Sequence, residues 1–490
     1  MILPADDGSS IYSARPIDRV RGVYDRLAAE HRATETLKSS LVQAVETHDY
    51  GFIETPVVEH TELFMRKSGG DRLAQIYAFN HRGRDLALRP EHTASIVRTF
   101  VENLQAEPLP LRLAYCGPVF RYEKPQAGRA RQFTEFGCEL IGAGGLLADT
   151  EIIRLALHTL RASGIERPHI VLGHIGVVAG FLSGLKIDQR AQDWLIWTME
   201  RLRDNRSVEI ELPDYLVTPP NGPERAEELD SLDHGAVIAL LRQSGFQFEG
   251  ESRTPEEIVN GLFEQRQRRY DAGLMQDAIQ FVQELTGLAG PPQEVLIPLR
   301  QLVTSRHIDP TPLDELERVI ELLDAIDHEQ VTVTIDLGMG RGLRYYTGML
   351  FEIYGPGGGP QLCGGGRYDD LAQVLGARKP VEACGFSLGL ERILTAANAC
   401  DVNVPQHRAL VWPGDANAAA VQIARDLRDH GWIAAVDPRP RAAAASRRSA
   451  HRQGYDAFVQ LTPEGVETVR LIDGATKSFP EAPAPEMVMS

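Results

Sequence analysis

The sequence predicts an α+β protein with a helical insertion and a small C-terminal α/β domain, and three stretches carry that reading. From Leu111 to Gly142 the pattern has period two: LRLAYCGPVFRYE, a loop KPQAGRARQ, then FTEFGCELIG, a long antiparallel hairpin. Residues 166 to about 328 are helical in tone and rich in charge, with polar breaks at TPPNGPERAEELD and GESRTPEE. From His407, strand-like RALVWPG, helix-like NAAAVQIARDLRDHG, strand-like WIAAVD, an arginine-rich helix and the strand AFVQL alternate as in an α/β domain with a mainly parallel sheet.

A chain of 490 residues is too long for one ordinary core, so two or three domains are expected. A hydrophobic fraction of 43% with 24% charged residues describes a soluble globular protein. The start, MILPADDGSSIYSARP, does not resemble a secretory signal, and no run approaches the roughly 18 apolar residues of a membrane span. Five cysteines (Cys116, Cys138, Cys363, Cys384 and Cys400) form no CxxC pair, which argues for neither a disulfide framework nor a zinc site and makes a reducing cytoplasm the simplest location. The net charge of −17 argues against a protein that coats nucleic acid non-specifically, while leaving room for a local basic patch.

In chain order, residues 17 to 50 carry helical periodicity, and YGFIETPVVEHTELF reads as a short strand, a turn and a helix. RDLALRP is a strand, and EHTASIVRTFVENL a helix with Ile96, Val97, Phe100, Val101 and Leu104 at helical spacing, which puts Glu91, His92 and Thr93 at the junction. In the hairpin, Phe136, Cys138 and Leu140 alternate with Glu135 and Glu139, while Arg121 and Glu123 share a face opposite Phe120 and Tyr122. One face is therefore apolar and the other bears an arginine and three carboxylates, either a solvated sheet face or a site. Lys124, Arg129 and Arg131 in the loop suit a polyanion. His174 lies in an apolar segment and reads as a satisfied core histidine.

The stretch VTVTIDLGMGRGLRYYTGMLFEIYGPGGGPQLCGGGRYDDL contains GMGRG, but Leu343 stands where a dinucleotide loop needs its third glycine, and a strand follows rather than a helix. Glycine runs around a strand pair instead permit close backbone approach to a ligand, and Arg341, Tyr345, Tyr346 and Tyr368 form a polar-aromatic group. In ACGFSLGLERILTAANAC a strand end leads to a helix carrying Arg392.

LRPEHTAS, FRYEKPQAGRARQF, FGCELIG, RGLRYYTGMLFE, CGGGRYDDL and GFSLGLER, in that order, resemble the motif series of the histidyl-tRNA synthetase family, a class II aminoacyl-tRNA synthetase family. The resemblance implies an antiparallel sheet flanked by helices, a homodimer, and a site that condenses histidine with ATP and Mg²⁺. It implies that Glu91, Thr93, Glu135, Glu139, Arg341, Tyr345, Tyr346 and Tyr368 hold histidine, that Arg121, Glu123 and Arg392 hold ATP, and that Arg121, Arg341 and Arg392 are catalytic. No resident metal site is expected. Candidate tRNA contacts are Gln126 and Arg129 in the hairpin loop, and Arg439, Arg441, Arg447 and Arg448 in a C-terminal part that resembles the family's anticodon-binding domain. The chain then divides into a catalytic-type core at 1–165 and 329–402, an insertion at 166–328, an anticodon-binding-like domain at 403–475 and a Pro-rich tail at 476–490.

Three positions depart from the family pattern: Glu135 stands for glutamine, His92 for glycine and Arg344 for aspartate. Two function classes follow: a histidine–tRNA ligase acting on tRNA(His), or the non-catalytic regulatory subunit of ATP phosphoribosyltransferase, which senses histidine and partners the catalytic subunit of that enzyme. Arg121, Arg341, Arg392, the RPE form of the first motif and the C-terminal domain favour the ligase; Arg344, Glu135, the wording FTEFG and a last domain that ends in the Pro-rich EAPAPEMVMS in place of a final helix favour the regulator.

Overall fold

A computed structural model describes residues 18–66, 75–122, 130–204, 210–213, 216, 270–327, 331–339, 346–397, 407–414, 416–438, 442–462 and 465–489. The chain forms two compact units, residues 1–400 and 401–490.

In the first unit the strands are β1 (Gly51–Phe52), β2 (Val58–His60), β3 (Tyr77–His81), β4 (Arg84–Leu88), β5 (Leu111–Phe120), β6 (Gln132–Ile141), β7 (His169–His174), β8 (Ala289–Gly290), β9 (Thr332–Asp336), β10 (Met349–Tyr354), β11 (Gln361–Arg367) and β12 (Ala383–Gly389). Nine of them make one sheet in the order β1-β5-β6-β12-β11-β10-β7-β9-β8, and β2, β4 and β3 make a small one. The large sheet is antiparallel except at β1–β5 and β7–β9.

Strand pleating gives the large sheet two unlike faces. Ala114, Phe136, Cys138, Leu140, Cys384, Phe386, Leu388, Phe351, Ile353, Ile170 and Leu172 belong to the main core. Helices cover this face, among them Ala28–Glu46, which buries Thr34, Leu37, Leu41, Ala44 and Val45 at helical spacing. Each large apolar side chain buried there contributes about 1.5–3 kcal/mol, so this face drives folding.

On the other face the register sets Gly117 opposite Glu135, Tyr115 opposite Gly137, Gly385 opposite Glu139 and Gly366 opposite Gly385. Glycines make a floor here because polar side chains from neighbouring strands, Tyr115 and Glu139, and from the adjoining turns, Arg89, His92 and Tyr346, lie over it. A Cβ on Gly385 would stand 1.7 Å from Glu139 Oε2, and one on Gly366 would stand 2.9 Å from the Tyr346 ring.

Two expectations need correction in this unit. The segment assigned to the helical insertion from residue 166 contributes β7 to the interior of the sheet, between β10 and β9. A short apolar strand covered on both faces shows no alternation, so its period could not announce it. His174, at its end, is satisfied as expected: its Nδ1 accepts from Gly176 N at 3.0 Å and its Nε2 lies 3.1 Å from Glu315 Oε2. The helix begun at Thr93 runs to Thr99 and continues as a π turn over Phe100–Leu104.

The second unit holds β13 (Arg408–Trp412), β14 (Ile433–Val436), β15 (Ala457–Thr462), β16 (Gly465–Arg470) and β17 (Thr476–Phe479), in the order β14-β13-β15-β16-β17. The expected mainly parallel sheet is mixed: β13 pairs parallel with β14 and β15, whereas β15–β16 and β16–β17 are antiparallel. The tail expected from 476 is part of the fold, since β17 lies in it and a short helix, Pro485–Met489, follows with Val488 buried. Trp432 Nε1 donates to Pro483 O at 2.7 Å and so ties the proline-rich stretch to the core.

Gly385→Ala is expected to lower the melting temperature by several degrees, because Glu139 must move within a packed site. Gly389→Ala, whose Cβ would approach nothing closer than Phe133 at 3.8 Å, is expected to leave it within about 2 °C. Thermal unfolding followed by circular dichroism measures both.

Candidate active site: two carboxylates on a glycine floor

The turn from β4 to the helix Thr93–Thr99 is fastened by Arg89, a buried side chain that donates from Nη1 to Thr55 O at 2.7 Å and from Nε to Pro118 O at 2.9 Å. That anchorage holds Pro90, Glu91 and His92 over the end of β5. Glu91 accepts from Ala94 N at 3.1 Å, a carboxylate at the positive end of a helix.

Strand β6 then supplies two carboxylates four residues apart on the floor face, roughly 13 Å apart at the usual strand rise. Glu139 is 1% exposed, and both its oxygens accept hydroxyl donors: Thr93 Oγ1 at 2.7 Å on Oε1 and the Tyr368 hydroxyl on Oε2. Burial raises its pKa to about 8; the two hydrogen bonds oppose that shift, and the neighbouring charges of Glu91 and Glu135 add to it. Tyr346 lies over Gly366, two strands away across Gly385. Thr93, Glu139, Tyr368 and Tyr346 therefore make one cluster at this end of the floor.

Glu135, 3% exposed, sits in a different electrostatic setting. Its Oε2 accepts from His92 N at 3.1 Å and lies 3.0 Å from His92 Nδ1, and its Oε1 accepts from Arg121 Nη2 at 3.2 Å. Burial alone would raise its pKa, but the hydrogen bond from His92 and the Arg121 charge outweigh burial and hold it below the ordinary value. An ionised carboxylate only accepts, so His92 Nδ1 carries a proton. The His92 ring stacks on Tyr115 with centroids 4.5 Å apart.

Arg121 is fixed by donation to Pro90 O at 2.8 Å and by the Phe133 ring, 5.0 Å from its Cζ, while its side chain stays one-third exposed. Arg392 donates to Gln361 O at 2.9 Å, and its aliphatic stem is beside Gly389, which pairs with Glu135. Two guanidinium groups thus attend the Glu135 end of the floor, and hydroxyl and aromatic groups the Glu139 end.

Glu135, expected to hold an amino-acid ammonium, has both of its oxygens engaged by His92 and Arg121 in the ligand-free structure. Arg341, Tyr345, Glu123, Gln126, Arg129, Arg439 and Arg441 lie outside the described residues, as does Arg344. In the second unit, Arg448 is exposed and Arg447 half-buried on the helix Ala443–Arg452.

Sequence reasoning missed three supports. Glu391 accepts from Thr134 N at 2.9 Å and pairs with Arg26, so the residue preceding Arg392 pins its helix to β6. Arg367 donates to buried Asp149 at 2.6 Å and to Asp369 at 3.0 Å. Arg203, from the helix Gln189–Asp204, bridges Asp336 at 2.9 Å and Glu352 at 2.7 Å farther along the same face. Glu391 was within reach, being inside a quoted motif; Arg26 and Arg203 have no local signal. A hollow of about 650 Å³ beside β3 and β4, lined by His60, Met65, Phe79 and Arg84, gathers none of the motif residues.

Among the described residues no group of three or more His, Cys, Asp or Glu side chains could hold a metal ion, and no helix is long and apolar enough to cross a membrane.

This antiparallel sheet with its flanking helices is the α+β fold of the class II synthetases. A family model described as histidyl-tRNA synthetase matches residues 22–209 and 238–393, and the chain belongs to that family. A histidine–tRNA ligase of Methanocaldococcus jannaschii is 31% identical over 470 residues, covering 93% of this chain and 96% of its own. An ATP phosphoribosyltransferase regulatory subunit of Moorella thermoacetica is 33% identical over 440 residues, covering 89% and 96%. The fold is shared with a Bacillus halodurans structure titled ATP phosphoribosyltransferase regulatory subunit/histidyl-tRNA synthetase (TM-score 0.63, 22% identity, 91% of this chain and 99% of that one). It is shared as well with the apo histidyl-tRNA synthetase of S. aureus (TM-score 0.60, 22% identity, 95% and 97%).

Because its folded pKa is raised, Glu139 costs stability as pH climbs from the unfolded value near 4.5 to about 8, and the cost is constant above that. Glu139→Gln is therefore expected to raise the melting temperature of the ligand-free protein by roughly 3 °C or more at pH 8.5 and not at pH 4.5. Thermal scans at the two pH values measure the difference.

Proposed function

We propose that this chain is a histidine–tRNA ligase, which joins histidine to ATP as histidyl-adenylate and passes the histidyl group to tRNA(His). The observation that carries the reading is the division of one floor face into a buried carboxylate end around Glu139 and a guanidinium end around Arg121 and Arg392. Glu139 and Tyr368 suit the imidazole, Thr93 and Glu91 the ammonium group, and Tyr346 the ring's flank. Arg341, Tyr345 and Glu123 complete the proposed site, and the homodimer and the tRNA contacts of Arg447 and Arg448 belong to the same proposal.

In the first step a carboxylate oxygen of histidine bonds to the α-phosphorus, the bond to the bridging oxygen breaks, and pyrophosphate leaves. The nucleophile is already ionised, so no strong base is needed; the residues must bring two anions together and neutralise the developing charge. Arg121 and Arg392 do this by directional contacts. In the second step a terminal ribose hydroxyl of tRNA takes the acyl carbon and AMP leaves. Mg²⁺ bound together with ATP would supply charge neutralisation on the phosphates.

The regulatory reading keeps one observation in its favour: Arg121, the arginine meant for phosphate, is already paired with Glu135. Chain length does not separate the two, since a regulatory relative spans 89% of this chain. Histidine-dependent exchange of labelled pyrophosphate into ATP, followed by charging of tRNA, decides. The ligase reading expects both, and expects Arg392→Ala to slow exchange by at least ~10²-fold. Histidine binding without exchange, together with capture of an ATP phosphoribosyltransferase catalytic subunit, would replace it with the regulatory one.

Binding of histidine is also expected to peak near pH 7. Between the imidazole pKa of about 6.5 and the Glu139 value of about 8, the free partners already hold the one proton that the pair shares. Below that window a proton must be released, and above it one must be taken up. Titration calorimetry across pH 5.5 to 9 reads the two limbs, and Glu139→Gln should erase the alkaline limb and weaken binding about ten-fold or more.

A further inference from the structure

Two of the three departures from the family pattern meet in space. His92 and Glu135, set apart in the sequence as departures from the pattern that the resemblance implies, together form one buried hydrogen-bonded unit: His92 N at 3.1 Å and His92 Nδ1 at 3.0 Å on Glu135 Oε2. Gly117, opposite Glu135, makes the space for it, since a Cβ there would stand 3.1 Å from His92 Nε2 and 2.5 Å from Arg89 Nη2. Glu135 Oε1 faces Arg121 Nη2 at 3.2 Å.

We infer that the His92–Glu135 unit is a built-in counter-anion for Arg121, which restrains how tightly the site takes a nucleotide phosphate. A glutamine at position 135 could keep Arg121 in place through its amide oxygen without offsetting its charge. A carboxylate keeps the arginine in place and subtracts from its attraction for an anion. His92 makes this arrangement tolerable in a buried setting by giving Glu135 two donors, so that the carboxylate remains ionised with no solvent around it. Arg121 is held by Pro90 O as well, and its one-third exposure leaves an edge for a ligand. Glu135 is in this view a positioning residue acting through Arg121, distinct from the Glu139 end. The inference rests on the proposed reading only in taking that edge as the phosphate position.

The test compares Glu135→Gln with the unaltered full chain, using ATP, AMP and adenosine as ligands in calorimetric titrations, with histidine titrated separately. Removing the charge while keeping the shape is expected to tighten ATP and AMP by roughly five- to ten-fold, to leave adenosine unchanged, and to leave histidine within about two-fold. Glu135→Met, which also removes the charge at similar volume, should shift ATP and AMP in the same direction, and either variant suffices if the other unfolds. Unchanged or weaker ATP and AMP binding in a folded variant overturns the inference. So does an equal gain for adenosine, because a structural loosening would not discriminate by phosphate. If the unaltered chain fails to bind histidine, the proposed function falls, while the comparison between adenosine and AMP still reads the counter-anion.

Discussion

The structure of the first unit depends on one constraint: a single β-sheet must present an apolar face to helices and a backbone-thin face to a polar cluster. The apolar face follows from ordinary burial, with Phe136, Phe351 and Phe386 among the side chains packed under helices. The thin face follows from glycine at Gly117, Gly137, Gly385 and Gly366, where Arg89 and His92 of the turn, Tyr115 and Glu139 of neighbouring strands, and backbone oxygens with Tyr346 leave no room for a Cβ. Carboxylates laid on such a floor lose water, and a buried carboxylate needs donors. The turn Arg89–Thr93, the tyrosines and Arg121 are arranged around that need.

The two carboxylates meet it differently. Glu135 has a guanidinium, a backbone N–H and a protonated ring nitrogen, and its ionised form is favoured. Glu139 has two hydroxyl donors and lies near two other carboxylates, and its neutral form is favoured until about pH 8. Pairs of titrating groups pushed apart by their surroundings mark places where chemistry is divided between them. In the proposed reading one end would share a proton with a ligand and the other would orient a cation against a phosphate. Ion pairs such as Arg203 with Asp336 and Glu352 continue the polar character of the face beyond the site.

Much of this was legible locally. Alternation exposed the β5–β6 hairpin and put Glu135 and Glu139 on one face, and helical spacing exposed the helix after Thr93. The ordered motifs led to Thr93, Glu139, Tyr368, Arg121 and Arg392, which the fold gathers. Strand β7 escaped because a strand buried on both faces has no alternating signal, and β17 escaped because its pairing with β16 outweighs the loop-like proline content around it. Arg26 and Glu391, 365 residues apart, could not be paired from spacing at all.

By itself, the sequence determined the fold class, the two-faced hairpin and the family, because these rest on residue type at short, regular intervals. Tertiary structure decided which polar residues are partners. The register of β5, β6 and β12 brings Gly117 and Gly385 beneath two carboxylates, and the Arg89 anchorage swings His92 onto Glu135. His92 and Glu135 were separate oddities on the chain, 43 residues apart, and become one interacting pair only when the sheet closes. Contacts between distant segments carry no period in the chain, so the pairing of Glu135 with Arg121 emerges only in the folded structure.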